Sequence, residues 1–373
     1  MTSGTVGRSD AISQLHWFKG RGAVTNPQGR FERLTREPTQ DSDPAQFDEP
    51  AANAPHTEVS AEYAKSIIAR NQSDDIFFEL SVNPYRGCEH GCIYCYARPQ
   101  HSFIGLSPGQ DFETRLRAKV NAVELLTSEI DAPGYRCSAI NIGSVTDAYQ
   151  PIEKQWRLAR GLVGVLVERK HPFTIITKSA LVERDIDLLA AAAQQGLTAV
   201  YVSVTTLDSK LAGHWEPRAS APWRRIETIR RLSEAGVPVG VMVAPIVPFL
   251  NEPEIEHILE AAKQAGAGSA HYTVLRLPHE LREVFVNWLR HHYPDRADRV
   301  LARIMDLRGG KKFNDSEFFT RMKGVGAWSE LIRMRFEMAT RKHGLSRDKL
   351  LTCSELFESR AVIARQMSLF GIA

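Results

Sequence analysis

Short aliphatic and β-branched runs alternate with longer stretches of helical period from about residue 77 onward. The runs 80–83, 138–143, 173–177, 199–204, 237–243 and 271–275 read as strands. The stretches 111–130, 153–169, 184–195, 223–235 and 254–265 repeat apolar residues every three to four positions and read as helices. Gly196, Gly236 and Gly266 directly follow three of these helices, where a stop signal is expected. Strands alternating with helices imply parallel pairing through right-handed crossovers. Six such units predict an α/β fold, a partial (β/α)6 barrel over residues 76–280. After about residue 278 the pattern turns helical at 280–292, 296–307, 317–322 and 329–343. That predicts a helical C-terminal subdomain over 281–363, followed by a tail at 364–373. Residues 1–75 form an N-terminal extension rich in Pro, Gly, Asp, Thr and Ser, with a flexible acidic linker at 39–55. The turn-rich stretch 20–30 either folds back on the body or is disordered.

Composition narrows the class. A hydrophobic content of 43% and a charged content of 24% are those of an ordinary globular chain. No apolar run reaches the roughly 18 residues of a membrane span, and the N-terminus lacks a basic-then-apolar leader. Together with redox-sensitive cysteines, this predicts a cytoplasmic protein without a membrane partner. The net charge is +3, but residues 271–373 carry 19 Lys and Arg against 12 Asp and Glu. A basic C-terminal third suits a polyanion such as nucleic acid, and equally a solvated helical surface.

The chemistry concentrates in Gly87-Cys-Glu-His-Gly-Cys-Ile-Tyr-Cys-Tyr96. Cys88, Cys92 and Cys95 have the spacing C-x3-C-x2-C, so one short loop can aim three thiolates at one centre. Three thiolates on a [4Fe-4S] cube leave one iron without a protein ligand, free to take a small molecule. Glycines before the first two cysteines let backbone approach closely. A structural zinc site is the competing reading, with His90 as a fourth ligand, but no second Cys-x2-Cys knuckle is present. Five cysteines in 373 residues are too few, and odd in number, for a disulfide framework.

Ligands of a parallel barrel sit at the carboxyl ends of its strands. The residues just past the expected strands are therefore candidates. Asp147 is placed to take an ammonium, Lys178 or Arg218 to pair with a carboxylate, and Ser203 to bond a ribose.

The stretch Asn83-Pro-Tyr-Arg-Gly-Cys-Glu-His-Gly-Cys-Ile-Tyr-Cys-Tyr-Ala-Arg-Pro99 resembles the radical S-adenosylmethionine (SAM) superfamily, in the branch related to spore photoproduct lyase, which reverts a thymine dimer in DNA. Asp111-Phe-Glu113, Thr146-Asp147, Thr177-Lys-Ser179 and Glu216-Pro-Arg218 resemble the same branch, over roughly residues 76–280. The resemblance implies a partial radical SAM barrel, a [4Fe-4S] cluster, and SAM chelated at the open iron. It also implies an electron donor such as flavodoxin or ferredoxin, and SAM contacts from Tyr94, Thr146, Lys178, Ser203 and Ala244. One departure stands out. The lyase carries a hydrogen-donating cysteine near the end of its second strand, where this chain reads Gly143-Ser-Val-Thr146. Cys137 lies at the opposite end of that strand and reads as a small buried residue. Tyr149 is the candidate for a replacement hydrogen-atom donor.

Two further motifs concern partners. Gln366-Met-Ser-Leu-Phe370 resembles the pentapeptide that docks in the hydrophobic groove of the bacterial sliding clamp. A final helix turn packing Leu369 and Phe370 on the body is the alternative. Met322-Lys-Gly-Val-Gly-Ala-Trp has the shape of a helix-hairpin-helix phosphate loop, or of a tight glycine turn between packed helices. The expectation is a radical SAM enzyme acting on DNA, for lesion repair or base modification, and recruited by the clamp. The alternatives are a radical SAM enzyme on RNA, a peptide or a small molecule, and a non-catalytic metal-containing DNA-binding factor.

Overall fold

The computed structural model describes residues 17–31, 55–310, 312–348, 350 and 352–359. Its ten strands are β1 (Glu58–Glu62), β2 (Ile68–Arg70), β3 (Leu80–Val82), β4 (Tyr85–Arg86), β5 (Arg115–Lys119), β6 (Ile140–Ile142), β7 (Phe173–Thr177), β8 (Thr198–Ser203), β9 (Val239–Ile246) and β10 (Ser269–Val274). Seven of them form one sheet in the order β10-β9-β8-β7-β6-β3-β2. The six strands from β3 to β10 in that sheet are parallel, and β2 joins as an antiparallel edge. β10 and β2 are opposite edges, so the barrel is open.

All six expected barrel strands are present. They read as near-continuous apolar runs because both faces are covered. β8, for example, is buried at all of its residues. The helices Ile186–Gln194, Pro222–Glu234 and Ile255–Gln264 pack against β8 and β9 and close the main core over one face of the sheet.

The helix expected over 111–130 is three elements instead: Asp111–Thr114, then β5, then Ala122–Ile130. In Arg115-Leu-Arg-Ala-Lys the buried positions alternate, Leu116 and Ala118 facing in, and that two-residue period belongs to a strand. β5 pairs with β1 and β4 in a small second sheet. The helix expected over 153–169 breaks at Arg157, whose φ is 52°. Strands β1 and β2 and the helix Ser209–Trp215 carry too little periodicity to be foreseen.

The C-terminal helices do not build a core of their own. Leu281–His292 and Pro294–Asp306 share a cluster with Ile93 and Tyr94 of the cysteine loop and with Trp215. Ile332, Phe336 and Ala339, from the helix Gly326–His343, join the main core. The subdomain is thus a cap on the barrel. Part of its basic character is spent in ion pairs. Arg333 pairs with Glu330 and Glu337, Arg335 with Glu252 and Glu256, Arg347 with Glu337, and Arg321 with Asp75.

The 20–30 stretch folds back. Ala23 and Val24 are fully buried, and their segment lies on the cysteine loop. The linker at 39–54 and the pentapeptide at 366–370 lie outside the described residues.

Candidate cofactor and substrate site

β3 delivers the chain directly into the cysteine loop, and neighbouring side chains fix that loop from several sides. Arg98, fully buried, donates to the carbonyls of Gly91 (3.0 Å), Cys92 (2.9 Å), Pro108 (3.1 Å) and Gly109 (2.8 Å) and pairs with Glu113. Glu113 also accepts the backbone N–H groups of Gly22 and Ala23, both at 2.8 Å. Gln150 donates to the Gly87 carbonyl at 3.2 Å and accepts from the Glu89 N–H at 2.8 Å. Gly87 and Gly91 have φ of 74° and 67°, and a Cβ on either would press on Leu116 or Glu113. These residues spend their hydrogen bonds on loop shape, which leaves the thiols to face inward.

Cys88, Cys92 and Cys95 line one cavity of about 430 Å³, within the size range of small-molecule sites. Burial pushes all three thiols above the ordinary cysteine range. For Cys88 and Cys92 neighbouring acidic groups add to the shift, and for both the other loop thiols contribute too. Such thiols need a cationic centre to ionise. Among the described residues no three of His, Cys, Asp and Glu converge closely enough for a single ion. Three cysteines without a fourth Cys or His knuckle are one ligand short of a structural zinc site, whereas they would suffice for a cluster that keeps one iron open, so this donor set fits a cluster better than one zinc. His90 is buried, its imidazole pushed down to about 4 by burial, and its Nδ1 lies 3.4 Å from Asp147.

Of the residues singled out in the sequence, Tyr94, Asp147, Lys178, Ser203 and Ala244 line the same cavity. They come from the cysteine loop and from the carboxyl ends of β6, β7, β8 and β9. The Tyr94 hydroxyl donates to buried Glu216, which is held by Arg225 and by Thr205 Oγ1 at 2.9 Å. The Lys178 ammonium stands 5.8 Å from the centre of the Tyr94 ring. Asp147 accepts from Thr177 Oγ1 (2.8 Å) and from the backbone N–H groups of Lys178 (2.7 Å) and Tyr149 (2.9 Å). It therefore fixes the two turns as well as facing the cavity.

Three candidates do not line the cavity. Thr146 is buried and donates to the Tyr85 carbonyl at 3.2 Å. Arg218 pairs with Glu89 at 2.7 Å and its backbone N–H donates to the His90 carbonyl, so it supports the loop from outside. Tyr149 is fully buried with its hydroxyl donated to Asp185 at 3.1 Å, which removes the geometric basis for a hydrogen-atom donor facing the cysteines. Cys137 precedes β6 at the far end of that strand and is likewise absent from the lining.

Several lining residues carry no motif in the sequence: Phe77, His271, Tyr272 and Arg276. Only the position of the last at the end of β10 points to it beforehand. The glycine loop at 323–326 is not a free phosphate loop. The N–H of Val325 donates to the Leu307 carbonyl, Arg321 is bound to Asp75, and Lys323 turns toward the cavity.

Comparison with known proteins places this arrangement. The family model of the Radical SAM superfamily matches residues 82–262. The chain is 37% identical over 225 residues to the uncharacterised protein Rv2578c of Mycobacterium tuberculosis, covering 60% of this chain and 66% of that protein's length. It is 27% identical over 216 residues to the uncharacterised protein MJ0683 of Methanocaldococcus jannaschii, covering 57% and 76% of the two chains. Its fold resembles that of spore photoproduct lyase complexed with dinucleoside spore photoproduct, with a TM-score of 0.53, 17% identity, and 77% and 80% of the two chains covered.

Proposed function

Because the chain belongs to the radical SAM superfamily, with a fold like that of spore photoproduct lyase, we propose that it is an enzyme of that class, holding a [4Fe-4S] cluster on Cys88, Cys92 and Cys95 with SAM beside it. The observation that carries this reading is the convergence of the three thiols with Tyr94, Asp147, Lys178, Ser203 and Ala244 on one cavity at the carboxyl ends of the strands. Bound there, the cluster and SAM would supply one-electron cleavage to a 5′-deoxyadenosyl radical. The chain's own part is to bind and to exclude water. Lys178 offers a cation for the methionine carboxylate. Ser203, its carbonyl tied to Arg225 at 3.1 Å, offers a hydroxyl at the end of β8. Tyr94, clamped by Glu216, supplies a ring beside the last cysteine.

The substrate we favour is DNA, reached in a reducing cytoplasm and with a small redox protein as electron donor. The support is the motif likeness to the lyase branch and the cationic residues Arg276 and Lys323 in the cavity lining. Recruitment to DNA is assigned to Gln366, Met367, Ser368, Leu369 and Phe370 as a sliding-clamp ligand. Deleting residues 366–370 should abolish retention on immobilised clamp, and undiminished retention would remove this role. One observation favours a smaller substrate. Arg321 pairs with Asp75, and Arg335 with Glu252 and Glu256, acids outside the cap, which leaves the cap with less free charge than its composition suggests.

The deciding experiment is anaerobic. The cluster is reconstituted, dithionite and SAM are added, and 5′-deoxyadenosine is quantified by mass spectrometry with and without UV-irradiated DNA. Production stimulated by DNA is the expected result. Production indifferent to DNA would keep the enzyme class and move the substrate to RNA or a small molecule. No production from protein with a full cluster would overturn the class.

A further inference from the structure

The other half of the cavity lining is made neither of the cysteines nor of the residues assigned to SAM. It is built from the segment leading into β3, the end of β10, and the short helix Thr320–Lys323. Two of its polar groups are cationic, Arg276 and Lys323. Arg276 has its Nε buried without a partner, and another of its guanidinium nitrogens lies 3.9 Å from the Met322 sulfur. His271 Nε2 is also buried without a partner; the Tyr272 ring packs outward on Phe336, its hydroxyl toward Arg347 and Glu337. Lys323, at the mouth, lies 3.8 Å from the centre of the Tyr272 ring and spends one N–H on the Tyr272 carbonyl at 3.0 Å.

The carboxylate on this side of the lining, Asp75, is already committed. It receives Arg321 Nε at 2.7 Å and the Phe319 backbone N–H at 3.1 Å. Arg276 and Lys323 are therefore two cations in excess of the acidic groups that line this half. Burial and the neighbouring Arg321 both weigh against the charged form of Arg276. A guanidinium fork and an ammonium lining one cavity suit an anionic group with several acceptor oxygens. Phe77 forms the adjoining apolar wall, stacked on His271 with ring centroids 6.4 Å apart.

We propose that this half of the cavity binds a phosphate group of the substrate, through Arg276 and Lys323. The assignment rests on the radical SAM reading of the cysteine half, because only then does a phosphate here lie beside a reacting centre. The phosphate has two possible sources, a nucleic-acid backbone or a free nucleotide.

The test is a binding measurement on reconstituted holoenzyme with SAM present, by anaerobic calorimetry. The probes are a single-stranded oligodeoxynucleotide, the same oligomer with neutral methylphosphonate linkages, a nucleoside 5′-monophosphate, and the corresponding nucleoside. Each charged probe that belongs in the site should bind at least tenfold more tightly than its neutral counterpart. That ratio should collapse in Arg276→Gln and in Lys323→Gln, and Arg276→Lys should restore part of it. Thermal midpoints of the variants identify any that merely fail to fold. Discrimination by the oligomer pair assigns a backbone phosphate; discrimination by the nucleotide pair assigns a free nucleotide. Equal binding of charged and neutral probes, or a ratio unchanged in both variants, would overturn the proposal. SAM cleavage by the wild-type protein reports separately on the cysteine half, so phosphate selectivity without cleavage would leave this subsite standing and remove the reading it rests on.

Discussion

A side chain on Gly22 would overlap the carbonyl oxygen of Gly91, three residues after the first cysteine. The N-terminal strap and the cysteine loop are thus packed backbone to backbone, and Glu113 ties both down from below through Gly22, Ala23 and Arg98. The strap belongs to the site even though it lies more than sixty residues away in the sequence.

Gly22→Ala should therefore act at the cysteines. Overpacking of this kind typically costs about 1–3 kcal/mol, and here relief requires either the strap or the loop to shift. The expected outcome is a lower thermal midpoint with less iron retained per chain after anaerobic reconstitution. Wild-type values for both would show that the strap is not part of the cluster scaffold.

Replacing any one cysteine of the trio should remove the cluster. Cys92→Ala leaves two thiols, too few to hold a cubane. The visible absorption of the reconstituted protein and its iron content should fall to background, with SAM cleavage lost in parallel. Cys137→Ala is the control, because Cys137 lies away from the cavity. Iron binding by Cys92→Ala at the wild-type level would contradict the ligand assignment.

Much of this site was legible in the chain, and particular residues show why. The six barrel strands and the cysteine loop announce themselves through local pattern: β-branched runs, and three thiols within eight residues. Asp147, Lys178, Ser203 and Ala244 follow from one topological rule, that ligands sit where parallel strands end. Thr146, Arg218 and Tyr149 occupy equivalent positions in the sequence yet turn elsewhere. The side chain of each is captured by a partner distant in sequence: the Tyr85 carbonyl, Glu89 and Asp185. Side-chain direction at a loop depends on such long-range partners, which a local reading does not contain. The same holds for Lys323, brought to the cavity mouth by the packing of the cap and not by any motif around it.

Glu216 tests the electrostatic frame. It is fully buried, paired with Arg225, and accepts from Tyr94 and Thr205. Glu216→Gln leaves the Arg225 guanidinium buried without its counter-charge, a change that typically costs about 3–5 kcal/mol. The expected result in urea unfolding is a large drop in midpoint, with weaker SAM binding because Arg225 also holds the Ser203 carbonyl. Arg225→Met in the same chain should recover part of the stability. A midpoint unchanged by Glu216→Gln would mean that the pair is not the buried anchor of this loop.

Stability should fall in mild acid, for a reason found outside the cavity. His101 and His171 are buried, and burial pushes both imidazoles down to about 4. Burial favours the neutral form of each. His101 Nε2 lies 3.0 Å from the Arg115 carbonyl, and His171 sits between the Pro172 carbonyl at 2.9 Å and the Tyr135 hydroxyl at 2.8 Å. In the unfolded chain a histidine titrates near 6.5. Between about pH 6.5 and pH 4 the unfolded state therefore binds more protons than the folded one, so stability rises with pH across that window and is lost as pH falls through it. Each histidine contributes a slope of at most about 1.4 kcal/mol per pH unit. Urea midpoints measured from pH 7 to pH 4.5 should decline, and His171→Gln should flatten the decline whatever its effect at pH 7. A variant that declines as steeply as wild type would show that His171 is protonated in the folded protein, against the neutral form its burial favours.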